Sequence, residues 1–326
     1  MPHSSSAYVG VGSDGEVYVL YRIKLSGDEW VEKGFKFGFT SLYLAVSYDG
    51  GKTFFEGRMI APDTGPDQTE RENLHSKNFE SFYVTDDGRV YVAWLDSQGT
   101  IDGERTPTRV CVTWTDDDGL TFAEPQLVKS VVCQCCATSL CTNSGGDVYV
   151  MFRDIMDNPD GMTFRDIVVT KSDDRGSTWS APERIADDRF EIDGCPHSTS
   201  TIIADAEGNL HGAWWTLGGQ MPGTYHAKSA DGGLTWTEPL LLEGNEWYPA
   251  TQIKVEVDSE NTPVVIWTDR TIEGGAVRYA VIQDGEAETV DLGAGEHPWS
   301  DSDKGLTALV WASDEGIMIR SWHNAT

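Results

Sequence analysis

The sequence is short of basic charge, and it lacks long apolar runs and helical periodicity. Lys and Arg number 24 against 53 Asp and Glu, a formal net charge of −29. That sign excludes a general nucleic-acid or anionic-membrane binder, since both depend on cationic clusters that meet phosphate. No apolar stretch reaches the roughly 18 residues of a membrane span, so no membrane insertion is expected. Met1–Ser6 shows no basic stretch leading into an apolar one, so no signal peptide is visible. The expectation is a soluble chain, cytoplasmic, or periplasmic or secreted if a leader has been trimmed. What is present argues for a large core. Hydrophobic residues make up 39%, and 12 residues are Trp, which excludes disorder. The 34 glycines suit an all-β chain rich in tight turns.

Four copies of one pattern, [S/T]-x-D-x-G-x-T-[W/F], set the organisation. They run Ser47–Phe54, Thr115–Phe122, Ser172–Trp179 and Ser229–Trp236, and they start 68, 57 and 57 residues apart. The Asp carboxylate can accept turn amides, and the Gly takes the φ > 0 position. The aromatic residue is expected to pack inward. The pattern reads as a hairpin turn between two outer strands. Each copy is preceded by a Gly/Asp turn and an alternating, aromatic-rich strand, as in Asp87-Gly88-Arg-Val-Tyr-Val-Ala-Trp94 and Gly208-Asn-Leu-His-Gly-Ala-Trp214. The same strand recurs without the pattern at Thr262–Trp267 and Thr307–Trp311. Alternation of period 2 between such turns specifies antiparallel strands. Six such units of three or four strands are expected, the last one short. Repetition at this period reads as propeller blades, one domain over residues 1–326.

The four patterns resemble the Asp-box (BNR) repeats of sialidase-like six-bladed β-propellers. The resemblance covers most of the chain and implies an all-β fold with one ligand-bearing face at the mouth of a central channel. The residues leading into each innermost strand would then supply the site. In the third unit they are Cys133-Gln-Cys135-Cys136, and in the fourth Gly194-Cys195-Pro-His197. Aligned on the second strands, Cys195 falls on Cys133 and His197 on Cys135. His75 lies level with Cys133, His3 within one position of it, and His297 at a similar height. If both segments are extended, side chains two apart share a face. Thiolate and imidazole are the ligand types for copper and zinc. Cys133, Cys135, Cys195 and His197 are therefore the expected metal ligands, with Cys136, His75, His3 and His297 as further ones. The cofactor is copper, or alternatively zinc. A disulfide between Cys133 and Cys195, or inert buried thiols, remain as other readings.

The remaining candidates follow from position. Trp247 and Tyr248, with Gln252, lead into the fifth unit, and His297-Pro298-Trp299 into the sixth. Trp247, Trp299, Gln252 and Arg153 are candidates for binding a small-molecule substrate, and His75 and Tyr248 for catalysis. Asp96, Arg153-Asp154 and Asp269-Arg270 follow second strands and are expected first as salt bridges. Cys111, His211, His226 and His323 sit in strands and read as structural, while Cys141 stays ambiguous. Ile23–Thr40 is the largest inserted loop.

Sialidases clamp a carboxylate with three arginines, the first in an Arg-Ile-Pro motif leading into the first blade. Here that place reads His3-Ser-Ser-Ser6, and Arg22-Ile23 is followed by Lys24. The Cys-x-Cys-Cys and Gly-Cys-Pro-His segments look like those of bacterial sialidase-like Asp-box proteins. Three functions stay open. They are a copper or zinc protein extending to a copper-dependent oxidoreductase, an exo-glycosidase acting on acidic sugars, and a non-catalytic protein- or glycan-binding propeller.

Overall fold

The computed structural model describes residues 3–62, 74–157, 163–192, 194–244, 249–258, 260–303 and 306–323, with backbone alone at 3–6, 301–303 and 323. Six successive antiparallel sheets follow one another along the chain, the arrangement of a six-bladed β-propeller. The chain divides into two compact units, Met1–Gln134 with Gly176–Thr178, and Cys135–Arg175 with Trp179–Thr326.

The first unit holds two blades. The first blade pairs His3–Val11, Val17–Leu25, Phe39–Ser47 and Arg58–Met59 in chain order. The second pairs Ser76–Val84, Val90–Ser97, Arg109–Thr115 and Gln126–Lys129, again each strand beside the next. Between them lies an apolar core containing Leu20, Leu42, Leu44, Val92 and Trp94. The long insertion is shorter than expected, because strands run on to Leu25 and resume at Phe39. A five-residue helix, Asp28–Glu32, occupies it, and Trp30 stacks on Phe39 at 4.6 Å between ring centroids.

The second unit holds four blades. Their second strands are Val148–Arg153, Leu210–Thr216, Pro263–Asp269 and Leu306–Ser313. The sixth blade has three strands among the described residues, as its short sequence implied. The alternation that marked these strands has a packing cause. Phe152, Trp214, Trp267 and Trp311 occupy the same register position in successive blades and are at most 6% exposed. Each buries one large aromatic side chain against its neighbours, where such rings contribute most.

The Asp-boxes are turns between third and fourth strands, as read from the sequence. In the first, Asp49 Oδ1 accepts the N–H groups of Lys52 and Thr53 at 2.9 and 2.8 Å, and Oδ2 accepts the Thr53 hydroxyl at 2.6 Å. These bonds, led by the Thr53 hydroxyl, hold the carboxyl at about 2. Asp231 repeats the arrangement with Leu234 and Thr235. At Gly176 both of glycine's properties are needed. Its φ is +96°, and a Cβ there would stand 3.2 Å from the Trp114 ring. The box aromatics pack less deeply than expected. Trp179 and Trp236 are half-buried and Phe54 is 44% exposed, because the turn lies at the outer edge of the sheet.

Candidate functional site

Cys133, Cys135 and Cys136 come together. Their sulfurs all lie within 4.8 Å of one another, and each residue is at most 4% exposed. Among the described residues this is the group of three or more potential ligands that is compact enough for one metal ion. Its geometry differs from the expected one. The segment is not extended: residues 134–136 turn, and the innermost strand of the third blade begins only at Ser139. In an extended strand Cys136 would face away from Cys133 and Cys135. The turn removes that alternation and adds the third sulfur. Upstream, the Val132 N–H donates to Thr108 O at 3.0 Å and fixes the start of the turn.

Cys195 and His197 lie on a second irregular segment that precedes the strand Thr201–Ala204. Cys195 is half-buried, and His197 is exposed with a left-handed φ of 51°. Neither belongs to the three-sulfur group. His3 heads the first strand opposite Lys24; its side chain is outside the described residues, as is that of His323. His297 sits deeper than the sequence alignment suggested. In register it matches Phe79 and Gln252, which all follow the last pair before a bulge, and so lies four positions beyond His75. All three take left-handed φ, from 55° to 57°.

The substrate candidates divide. Gln252 and His297 are joined: Gln252 Oε1 accepts the His297 N–H at 2.9 Å and the Thr268 hydroxyl at 2.9 Å. Trp299 is 41% exposed, with the Lys254 ammonium 3.5 Å from its ring centroid. Trp247 and Tyr248 lie outside the described residues. Arg153 is a buried staple, 1% exposed, whose Nη1 donates to Arg165 O and Nη2 to Trp215 O. Its guanidinium also lies over the Phe190 ring. Both terminal nitrogens are thereby engaged away from solvent. Asp269 pairs with Arg278 at 3.1 Å, as a salt bridge.

His75 belongs to a charged group that sequence reasoning had only in part. Lys77, Asp96 and Arg109 are direct cross-strand partners on three adjacent strands of the second blade. Asp96 Oδ1 accepts from Arg109 Nη2 at 2.5 Å and lies 2.8 Å from His75 Nδ1. A proton on Nδ1 makes the carboxylate oxygen the shared acceptor of both. Burial pushes Asp96 up, but the His75 and Arg109 bonds and charges outweigh it and hold the carboxyl at about 2. Lys77 is 3% exposed, and its ammonium donates to His75 O at 3.1 Å. Cys111, beside this group, is pushed up to about 12 by burial and the Asp96 charge, so it stays a thiol. Cys141 is 1% exposed and likewise raised by burial, so it too stays a thiol. The missed members, Lys77 and Arg109, become visible once strand register places them beside Asp96.

His211 and His226 are structural, as expected. Their rings stack at 5.3 Å, His211 Nδ1 lies 3.1 Å from His226 Nε2, and His211 Nε2 lies 3.3 Å from Asp205. No described helix is long and apolar enough to cross a membrane.

Comparison with known proteins supports this architecture. The comparison with curated proteins returns no match. Among solved structures, a protein of unknown function from Dyadobacter fermentans is similar at 16% identity and a TM-score of 0.61, over 98% of this chain and 94% of that one. The leech intramolecular trans-sialidase gives 12% identity and 0.63, over 99% of this chain and 68% of that one. The α-L-arabinanase of Penicillium chrysogenum gives 12% identity and 0.59, over 98% and 93%. At these identities the likeness is one of fold. The BNR repeat-like domain family matches residues 7–205, more than half the chain. With its Asp-box turns and sialidase-like sheets, the chain belongs to the BNR repeat-like domain family.

Proposed function

We propose that this chain is a thiolate metalloprotein, in which Cys133, Cys135 and Cys136 hold one soft metal ion, copper(I) or zinc. The supporting observation is the compact three-sulfur group. Metal–sulfur bonds of about 2.3 Å put the sulfurs of a trigonal or tetrahedral site roughly 3.8–4.0 Å apart. The turn needs little contraction to reach that spacing. Three buried thiolates would repel one another without a cation, so metal uptake would release protons. Thiolate ligands favour copper(I) and zinc over hard cations. Copper would make redox chemistry available, with a copper-dependent oxidoreductase as its fullest form; zinc would not. Cys195 and His197 are the candidates to complete the coordination.

The test is elemental analysis with a thiol count on protein purified without a His-tag. About one equivalent of copper or zinc is expected, lost in Cys136→Ser. The same assay on Cys195→Ser and His197→Ala tells whether either is a ligand. Absence of metal together with paired thiols would overturn the reading and make the turn a disulfide staple.

The fold is equally compatible with a second reading, a glycosidase for acidic sugars, the activity class of the leech trans-sialidase neighbour. Turnover of a fluorogenic sialoside, retained in Cys136→Ser, would support it over the first.

A further inference from the structure

The first two Asp-box turns meet across a cavity of about 390 Å³ that lies within the first unit. Its size is that of a small-molecule site. Asp118, in the second box, reaches back to the first blade. Its Oδ1 accepts the Tyr18 hydroxyl at 2.5 Å and its Oδ2 the Tyr48 hydroxyl at 2.7 Å. Both partners are neutral, and the Asp118 bond, then burial, pushes the Tyr48 hydroxyl up to about 12. Glu56 also lines the cavity, and among the described residues neither carboxylate is bridged to a cation. A third, Glu16, acts on both tyrosines through its charge. Against these the described lining holds one cation, Arg58, which is exposed and shared with a larger cavity alongside. The rings of Tyr48 and Phe55 stand at 70° with centroids 5.7 Å apart, and they are 54% and 65% exposed. Leu44 and Val46 form the buried side.

We propose that this cavity binds a small organic ammonium ion, its alkylated nitrogen set against the Tyr48 and Phe55 rings and facing Asp118 and Glu56. Aromatic faces attract a weakly hydrated cation, and unbridged carboxylates supply the counter-charge. The alkyl groups lie toward Leu44 and Val46. An anion would meet the two carboxylates. A hard metal ion keeps its water and needs several oxygens, whereas both Asp118 oxygens already accept a hydroxyl. A neutral apolar molecule would cover the carboxylates without a counter-charge. The proposal is independent of the metal reading, since none of the three cysteines lines the cavity.

The test uses the full chain titrated by calorimetry with choline and with its neutral isostere 3,3-dimethylbutanol. Choline is expected to bind at least tenfold tighter than the alcohol, with an affinity that falls as salt rises. Asp118→Asn risks the fold, because Asp118 ties the second blade to two tyrosines of the first. Phe55→Leu and Glu56→Gln change exposed residues instead. The first keeps an apolar side chain and removes a ring face; the second removes a charge. Each is expected to weaken choline at least threefold with the melting temperature unchanged. Equal binding of the cation and the alcohol, no saturable binding in the millimolar range of choline, or an affinity untouched by both variants would each overturn the proposal.

Discussion

Asp96 and Asp188 are the same residue in nearly the same setting, yet they titrate in opposite directions. Each is at most 6% exposed, and each accepts an indole N–H from the tryptophan at one register position, Trp94 at 3.3 Å and Trp214 at 2.7 Å. Burial raises both. Asp96 is nonetheless held at about 2, while Asp188 reaches about 6. The difference is the cation. Arg109 and His75 bond directly to Asp96. Around Asp188 the nearby Asp166 adds to the rise, and Arg153 acts only at a distance, its terminal nitrogens being spent on backbone carbonyls. Depth in a blade does not decide the charge state of a carboxylate; a bonded counter-charge does.

Removing the partnered carboxylate should have the largest effect. Asp96→Ala strands Arg109 and His75, and a loss of about 3 kcal/mol is expected from breaking a buried pair. Urea denaturation at pH 7.5 measures it. Equal stability of variant and parent would mean that the row is solvated and that the contrast with Asp188 has another cause. In the parent, the Asp96 contribution is present above its unfolded value near 4 and is lost as pH falls toward about 2.

The histidines offer a contrast of the same kind. His75 shares its carboxylate with an arginine, whereas His226 is sealed against His211. Burial, then the charge of His211, pushes His226 down to about 3, and burial lowers His211 as well. A depressed histidine stabilises the fold above its unfolded value near 6.5, and that stability drains as pH falls toward the folded value. Each site contributes up to about 1.4 kcal/mol per pH unit. A loss of about 2 kcal/mol between pH 6.5 and 5 is therefore expected for His226. His226→Gln should flatten the profile in that window; an unchanged profile would mean that the pair is hydrated and not sealed.

The fold was legible because its signals are local and repeated. The boxes fix turns through bonds made within five residues, and the second-strand aromatics mark one buried position per blade. The candidate site was legible by residue type and not by geometry. Cys133, Cys135 and Cys136 stood out as a group of thiols, but an extended strand was assumed where the chain turns, so Cys136 was given a minor place. Arg153 looked like a pocket arginine because sequence carries no depth. Arg109 escaped notice because its meaning depends on register: it is 13 residues from Asp96 along the chain and directly opposite it across the sheet. The expected set Cys133, Cys135, Cys195 and His197 joined residues on two segments, and chain pattern alone cannot measure the distance between two turns.

The smallest effect expected is a gain. Asp188 is raised to about 6, so its favourable contribution is complete below its unfolded value near 4 and is lost as pH rises through 6. At neutral pH the ionised, unpaired carboxylate therefore works against the fold. Asp188→Asn removes the charge and keeps an oxygen to accept the Trp214 indole N–H. The shift of roughly two units sets an upper bound near 3 kcal/mol, and the weaker bond of a neutral acceptor offsets part of it. A gain of about 1 kcal/mol at pH 7.5, vanishing by pH 4, is the expected result in urea melts. The variant also exposes the histidine profile, because Asp188 and His226 pull in opposite senses between pH 4 and 6. With Asp188 neutral throughout, the acid loss from His226 should steepen. A loss of stability at pH 7.5 would mean that Asp188 has a cationic partner as effective as Arg109, and the contrast between the two carboxylates would fail.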